Sequence, residues 1–101
     1  MGNLSNFRGE SFAANFDITV RGYRVTGSVN ASRDLRVLDI MGEVQVGEDE
    51  QPVNFNCFRR DEKVRANIYN IDIEEMTDFV AIVNDARLVV EDDVKTAIGA
   101  E

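Results

Sequence analysis

Between residues 11 and 31 apolar and polar side chains alternate, and the phase of the alternation reverses at one glycine. Phe12, Ala14, Phe16, Ile18 and Val20 share one parity, with Asn15, Asp17, Thr19 and Arg21 on the other. After Arg21-Gly22 the apolar phase passes to Tyr23, Val25, Gly27, Val29 and Ala31, against Arg24, Thr26, Ser28 and Asn30. A period of two is the pattern of a strand with one buried face. A phase reversal across a glycine, which takes positive φ without steric cost, predicts a tight hairpin.

The same period continues downstream. "NASRD" (30–34) reads as a turn, and Leu38, Ile40, Gly42, Val44 and Val46 form a third run. Leu35 and Val37 are out of phase with that run, which predicts a bulge or bend near Val37-Leu38. "GEDEQP" (47–52) is a polar loop closed by the only proline. Val53, Phe55 and Cys57 make a fourth strand, "RRDEK" (59–63) a turn, and Val64, Ala66 and Ile68 a fifth. Short connections between consecutive strands predict a five-stranded antiparallel meander with one apolar face.

The period then lengthens. Asp72 followed by Glu75 matches a capping box with Asp as the cap. Ile73, Met76, Phe79, Val80 and Val83 recur at helical spacing, predicting an amphipathic helix from 72 to between 86 and 90. Met76, Phe79, Val80 and Val83 are expected to lie on the apolar face of the sheet. "EDDVKTAIGAE" (91–101) reads as a short second helix capped by Asp92 or Asp93, or as a tail, and residues 1–11 are expected to be loose. The predicted fold is therefore α+β, a meander covered by one C-terminal helix, in a single domain spanning 1–101. A chain of 101 residues buries enough surface for one modest core without metals or disulfides.

Charge is divided unevenly. Residues 1–70 carry nine basic and ten acidic side chains, and residues 71–101 carry two and nine, so −7 of the net −8 belongs to the helix and the residues after it. In a meander alternate turns share an end of the sheet. Arg33 and Arg36 in the second turn and Arg59, Arg60 and Lys63 around the fourth should therefore meet, forming an arginine-bearing edge.

Several chemistries are excluded by residue type. The chain has no histidine and one cysteine, which removes Ser-His-Asp and Cys-His machinery, histidine-ligated metals and zinc ribbons. No GxxxxGK[ST] or GxGxxG cradle occurs. Cys57 falls within an apolar alternation and reads as a small buried hydrophobe, not a reactive thiol. "DIEE" (72–75) and "EDD" (91–93) lack the EF-hand pattern, and acids at a helix start serve more often as dipole partners than as ligands. No metal, cofactor or catalytic residue is expected. A sequence pI near 4.5 and few aromatics for stacking weigh against direct nucleic-acid binding. No run reaches the 18 or so apolar residues that span a bilayer, and no signal-peptide core is present, so a cytoplasmic protein is expected.

The leading functional reading is a non-catalytic interaction protein whose acidic third engages a basic surface of a protein partner. Glu74, Glu75 and Asp78 in the helix and Glu91, Asp92 and Asp93 beyond it are the candidate contacts. A row of carboxylates presents charge as phosphates do, so an inhibitor encoded by a phage or mobile element would fit. The alternative is a self-assembling structural or adaptor protein, a homo-oligomer joined through Arg33, Arg36, Arg59, Arg60 and Lys63. A small carboxylate-based enzyme is the third reading.

Overall fold

The structure is a computed structural model that describes residues 7–8, 11–47, 49–60 and 62–100. Five long strands form the antiparallel meander: β2 (Ser11–Val20), β3 (Tyr23–Ser32), β4 (Val37–Val44), β5 (Val53–Arg60) and β6 (Lys63–Ile68). A two-residue strand, β1 (Phe7–Arg8), pairs with β2 at one edge, so the sheet order is β1 to β6 in sequence order. The expected loose segment 1–11 thus contains a short paired piece; its residues 1–6, 9 and 10 lie outside the described residues.

The hairpin at Gly22 forms as its phase reversal requires. Val20 faces Tyr23, and the two residues between them have φ of 51° (Arg21) and 84° (Gly22), the doubly left-handed turn whose twist matches a β-hairpin. No bulge disturbs the start of β4, which pairs with β3 in continuous register from Ala31–Leu38 to Val25–Val44. Leu35 is out of phase because it belongs to the turn, with φ 63° and its N–H donated to the Ser32 carbonyl. Val37 simply faces the polar side of the sheet. The turn is fastened by Ser32, whose hydroxyl donates to Asp34 Oδ1 and accepts from the Val37 N–H.

The helix differs from its prediction in three ways. It opens on a 3-10 turn (Ile73–Glu75) in which the Glu75 N–H bonds the Asp72 carbonyl, and the Asp72 side chain makes no cap. It does not end near 86–90. One α-helix, α1, runs unbroken from Met76 to Ala100. Its buried face is also rotated: Phe79, Ile82, Val83, Ala86, Val90 and Val94 are buried, while Met76 is 45% and Val80 52% exposed. Only a stripe maintained over all 25 residues can sit on the sheet, and the stripe through Ala86, Val90 and Val94 excludes Met76 and Val80.

The core lies between α1 and the inward residues of β2 to β5, among them Val25, Val29, Leu38, Ile40, Val44 and Phe55. Cover is incomplete. Five strands at about 4.8 Å spacing make a sheet about 19 Å across, and a helix is only about 10 Å wide. Helix α1 packs along β2 and β3. The inward side of β6 is left open, so Val64 and Ala66 are exposed and Ile68 is half-buried. Between β6 and the first half of α1 runs an apolar groove of about 600 Å³.

Candidate functional site

The six acidic residues singled out from the sequence separate into three groups. Asp78 and Asp92 are exposed along one flank of α1, a shallow crest on the side of the β2–β3 turn, and Glu74 is exposed in the 3-10 turn before the helix. At 100° per residue, Asp78, Asp85 and Asp92 differ by only about 20° each, and each step of seven residues advances about 10.5 Å. Glu74, four residues before Asp78, lies in the 3-10 turn that precedes the helix. Asp85 is thus a member of the row that the sequence reading passed over, although the seven-residue spacing was there to be read. Its carboxylate binds Arg21 of the β2–β3 turn, which holds the crest to the sheet.

Glu75 and Asp93 lie beside the crest. Glu75 borders a crevice with Val46, Val53 and Ile71 at one end of the sheet, and Asp93 borders another with Phe12, Ala14 and Val94. Both side chains are exposed.

Glu91 is not a surface residue. Only 7% exposed, it joins Arg59 of β5 at 2.6 Å through Oε1 and Arg87 of its own helix at 3.0 Å through Oε2. Burial pushes its pKa up, but the hydrogen bond and charge of Arg59 and the charges of Arg87 and Lys95 outweigh this and hold it below the usual carboxylate range. Arg59 also donates to the Leu35 carbonyl at 3.3 Å. One carboxylate therefore ties α1 to β5 and, through Arg59, to the β3–β4 turn. Such a role for Glu91 is not legible from "EDD", because it depends on which helical face the sheet receives.

The arginine-bearing end assembles as the meander requires: Val37 faces Arg60, bringing the second and fourth turns together. Its charge is largely engaged within the chain. Arg59 is held by Glu91, and Arg60 pairs with Asp39 at 3.1 Å while lying over the Phe58 ring. Lys63 is exposed, and Arg33 and Arg36 are exposed at the other turn. Asp34 between them is held below the usual range by the Ser32 hydroxyl and the Arg36 N–H.

Cys57 is buried at the floor of the groove, and desolvation, opposed weakly by the charge of Arg87, pushes its thiol up to about 11. At neutral pH it is a protonated thiol, a poor nucleophile. Among the described residues no group of three or more His, Cys, Asp or Glu is placed to hold a metal ion, and no helix is long and apolar enough to cross a membrane. Comparison of the chain with protein-family models, with curated proteins and with solved structures finds no match.

Proposed function

We propose that this is a non-catalytic protein-interaction domain that presents a row of carboxylates to a basic surface on its partner. The observation that carries the reading is the crest of the helix, where Asp78, Asp85 and Asp92 recur every seven residues, with Glu74 in the turn before them and Asp85 paired with Arg21. From Asp78 to Asp92 the row extends about 21 Å, fourteen residues at 1.5 Å each. Of the expected contacts, Asp78 and Asp92 occupy the row, Glu74 precedes it, Glu75 and Asp93 widen it, and Glu91 is withdrawn into the interior.

The test compares wild type with a variant carrying Glu74→Gln, Asp78→Asn and Asp92→Asn, each used to recover partners from lysate of the source cells. Wild type should retain partners at low salt and release them as the Debye length falls towards roughly 3 Å at 1 M salt. The variant should lose them, chiefly through slower association. Identical recovery by both proteins at both salt concentrations would refute the acidic-crest reading.

A further inference from the structure

The open side of β6 has a defined hydrogen-bonding phase. The Tyr69 N–H bonds the Asn54 carbonyl at 2.9 Å, continuing the register in which Phe55 faces Ile68 and Cys57 faces Ala66. Bonded and non-bonded pairs alternate in an antiparallel ladder. Lys63, Arg65, Asn67 and Tyr69 therefore bond to β5, and Val64, Ala66 and Ile68 point their N–H and C=O groups at the open edge.

Both edges of the sheet are open among the described residues. At the far side β1 pairs only with Ser11 and Phe12, leaving Ala13 to Val20 of β2 without a neighbouring strand on that side, and that stretch lies beside the helix. Strand β6 is six residues long, and its three inward side chains are Val64, Ala66 and Ile68. A protected edge would carry an inward charge, a proline or a bulge. Strand β6 carries Lys63 and Arg65 on its outward face but no inward charge, proline or bulge.

We infer that β6 is an assembly edge and that its occupant is β6 of a second copy, paired antiparallel about a two-fold axis at Ala66. The register follows from the phase. Val64, Ala66 and Ile68 must pair with one another, and placing Ala66 on the axis sets Val64 against Ile68 of the second copy, giving six N–H···O bonds. The same register sets Arg65 against Asn67 and Lys63 against Tyr69. Moving the axis to Arg65 would leave four such bonds and set Arg65 against itself.

Charge favours the arrangement at both ends. Residues 59–65 carry four basic and two acidic side chains, of which Arg59 and Arg60 are already paired with Glu91 and Asp39, and residues 69–78 carry four acidic and no basic ones. An antiparallel two-fold places the first stretch of each copy beside the second stretch of the other. Lys63 and Arg65 form no ion pair among the described residues, and neither do Asp72, Glu74, Glu75 and Asp78. This contact is isologous and closes at two copies, unlike a head-to-tail arginine edge that would propagate. Both helices remain on one face of the joined sheet, and Asp92 stays clear of the contact.

Sedimentation of the full chain from about 5 µM to about 500 µM tests the pairing, since a small interface of this kind associates in the micromolar range. A concentration-dependent monomer–dimer equilibrium is expected, weakening with salt. Ala66→Pro removes an N–H that β5 does not use, so the fold should survive, as circular dichroism would verify, while the dissociation constant rises at least about tenfold. Ile68→Lys, an inward charge on the same edge, should act alike and covers the case in which the proline variant misfolds. Ala66→Cys should oxidise to a covalent dimer, because opposed residues of a bonded pair have Cα atoms about 5.5 Å apart, within disulfide reach. Asn67→Cys should not, since it faces Arg65; buried Cys57 in the wild type provides the background. A monomer at 500 µM, a dimer indifferent to both edge variants, or equal cross-linking at 66 and 67 would each overturn the inference. A chain that stays monomeric yet loses partners in the crest variant would overturn it while leaving the proposed function standing.

Discussion

Replacing Glu91 with glutamine keeps the shape of the side chain and removes the charge that two guanidinium groups share. Arg59 and Arg87 approach opposite oxygens of the carboxylate at 2.6 and 3.0 Å, and their side chains are only 18% and 16% exposed. An amide can accept one of these bonds, but its nitrogen would then turn a donor towards the other cation. Removing one partner from a buried ion pair costs about 3–5 kcal/mol, and here loss of the buried carboxylate would leave two half-buried cations together. A domain of this size has about 5–15 kcal/mol of stability in total, so Glu91→Gln should sit near the edge of unfolding. At about 4–8 °C per kcal/mol, its melting temperature should fall by roughly 15–30 °C. Urea titration is the cleaner assay: the midpoint should drop with little change in slope if only stability has changed. The carboxylate also predicts a pH signature. Its folded pKa is depressed, so its stabilisation is complete above the unfolded value of about 4.3 and is lost as pH falls through the lower folded value. Wild type should lose stability across that interval, and the glutamine variant should lose less. A companion variant with Arg59→Met, Arg87→Met and Glu91→Leu together should recover most of the loss, because a well-packed apolar replacement restores balance. A cost below about 1 kcal/mol for Glu91→Gln would show that the network behaves as a solvated surface pair and would refute the reasoning.

Phe79→Ala should cost about 3–5 kcal/mol in denaturant titration, whereas Val80→Ala, one residue away on the open side, should cost less than about 1 kcal/mol. Equal costs would mean that the helix presents another face. Gly27→Ala should destabilise strongly, because an added Cβ would lie 2.0 Å from the Met41 carbonyl oxygen and 2.6 Å from Gly42 Cα, both backbone atoms of the neighbouring strand. A melting temperature within about 2 °C of wild type, well under the shift expected from 1 kcal/mol, would show that β3 and β4 can separate there without penalty. Cys57 should resist alkylation by iodoacetamide at pH 8 until the protein is unfolded, since its thiol is buried and titrates at about 11; labelling of the native chain as fast as of the unfolded chain would contradict both statements.

The meander was legible because its signal is local. Each strand announces itself within eight or ten residues, and the reversal at Gly22 marks the turn without reference to anything distant. Leu35 misled because a single apolar residue carries no label distinguishing a strand that has slipped phase from a turn that tucks one side chain inward. The helix shows a different limit. Over residues 73–83 two apolar stripes compete, one through Met76 and Val80 and the other through Phe79 and Ile82, and a short window cannot choose between them. The choice is made by Ala86, Val90 and Val94, which lie at or beyond the end predicted for the helix. Once that stripe is seated, the acidic residues sort themselves: Asp78, Asp85 and Asp92 rise to the crest and Glu91 is carried inward to Arg59. The candidate site was thus half visible, its composition in the charge count and its geometry only in the orientation of α1. The exposed state of β6 was not visible at all, since Val64, Ala66 and Ile68 have the same alternation as a covered strand. What leaves them open is the width of the sheet relative to one helix.

The order of the elements along the chain also has a consequence during synthesis. Every long strand pairs with its neighbour in sequence, so each hairpin can close within about 1–10 µs of becoming available. The cover comes last: the 25 residues of α1 take about 1–5 s to be made at 5–20 residues per second. Until α1 has been made and has emerged, a nascent sheet would hold Val25, Val29, Leu38, Ile40 and Phe55 in contact with water or with whatever binds emerging apolar surface. A chain truncated before Met76 would be a sheet without a lid, prone to aggregate through the face that α1 normally conceals.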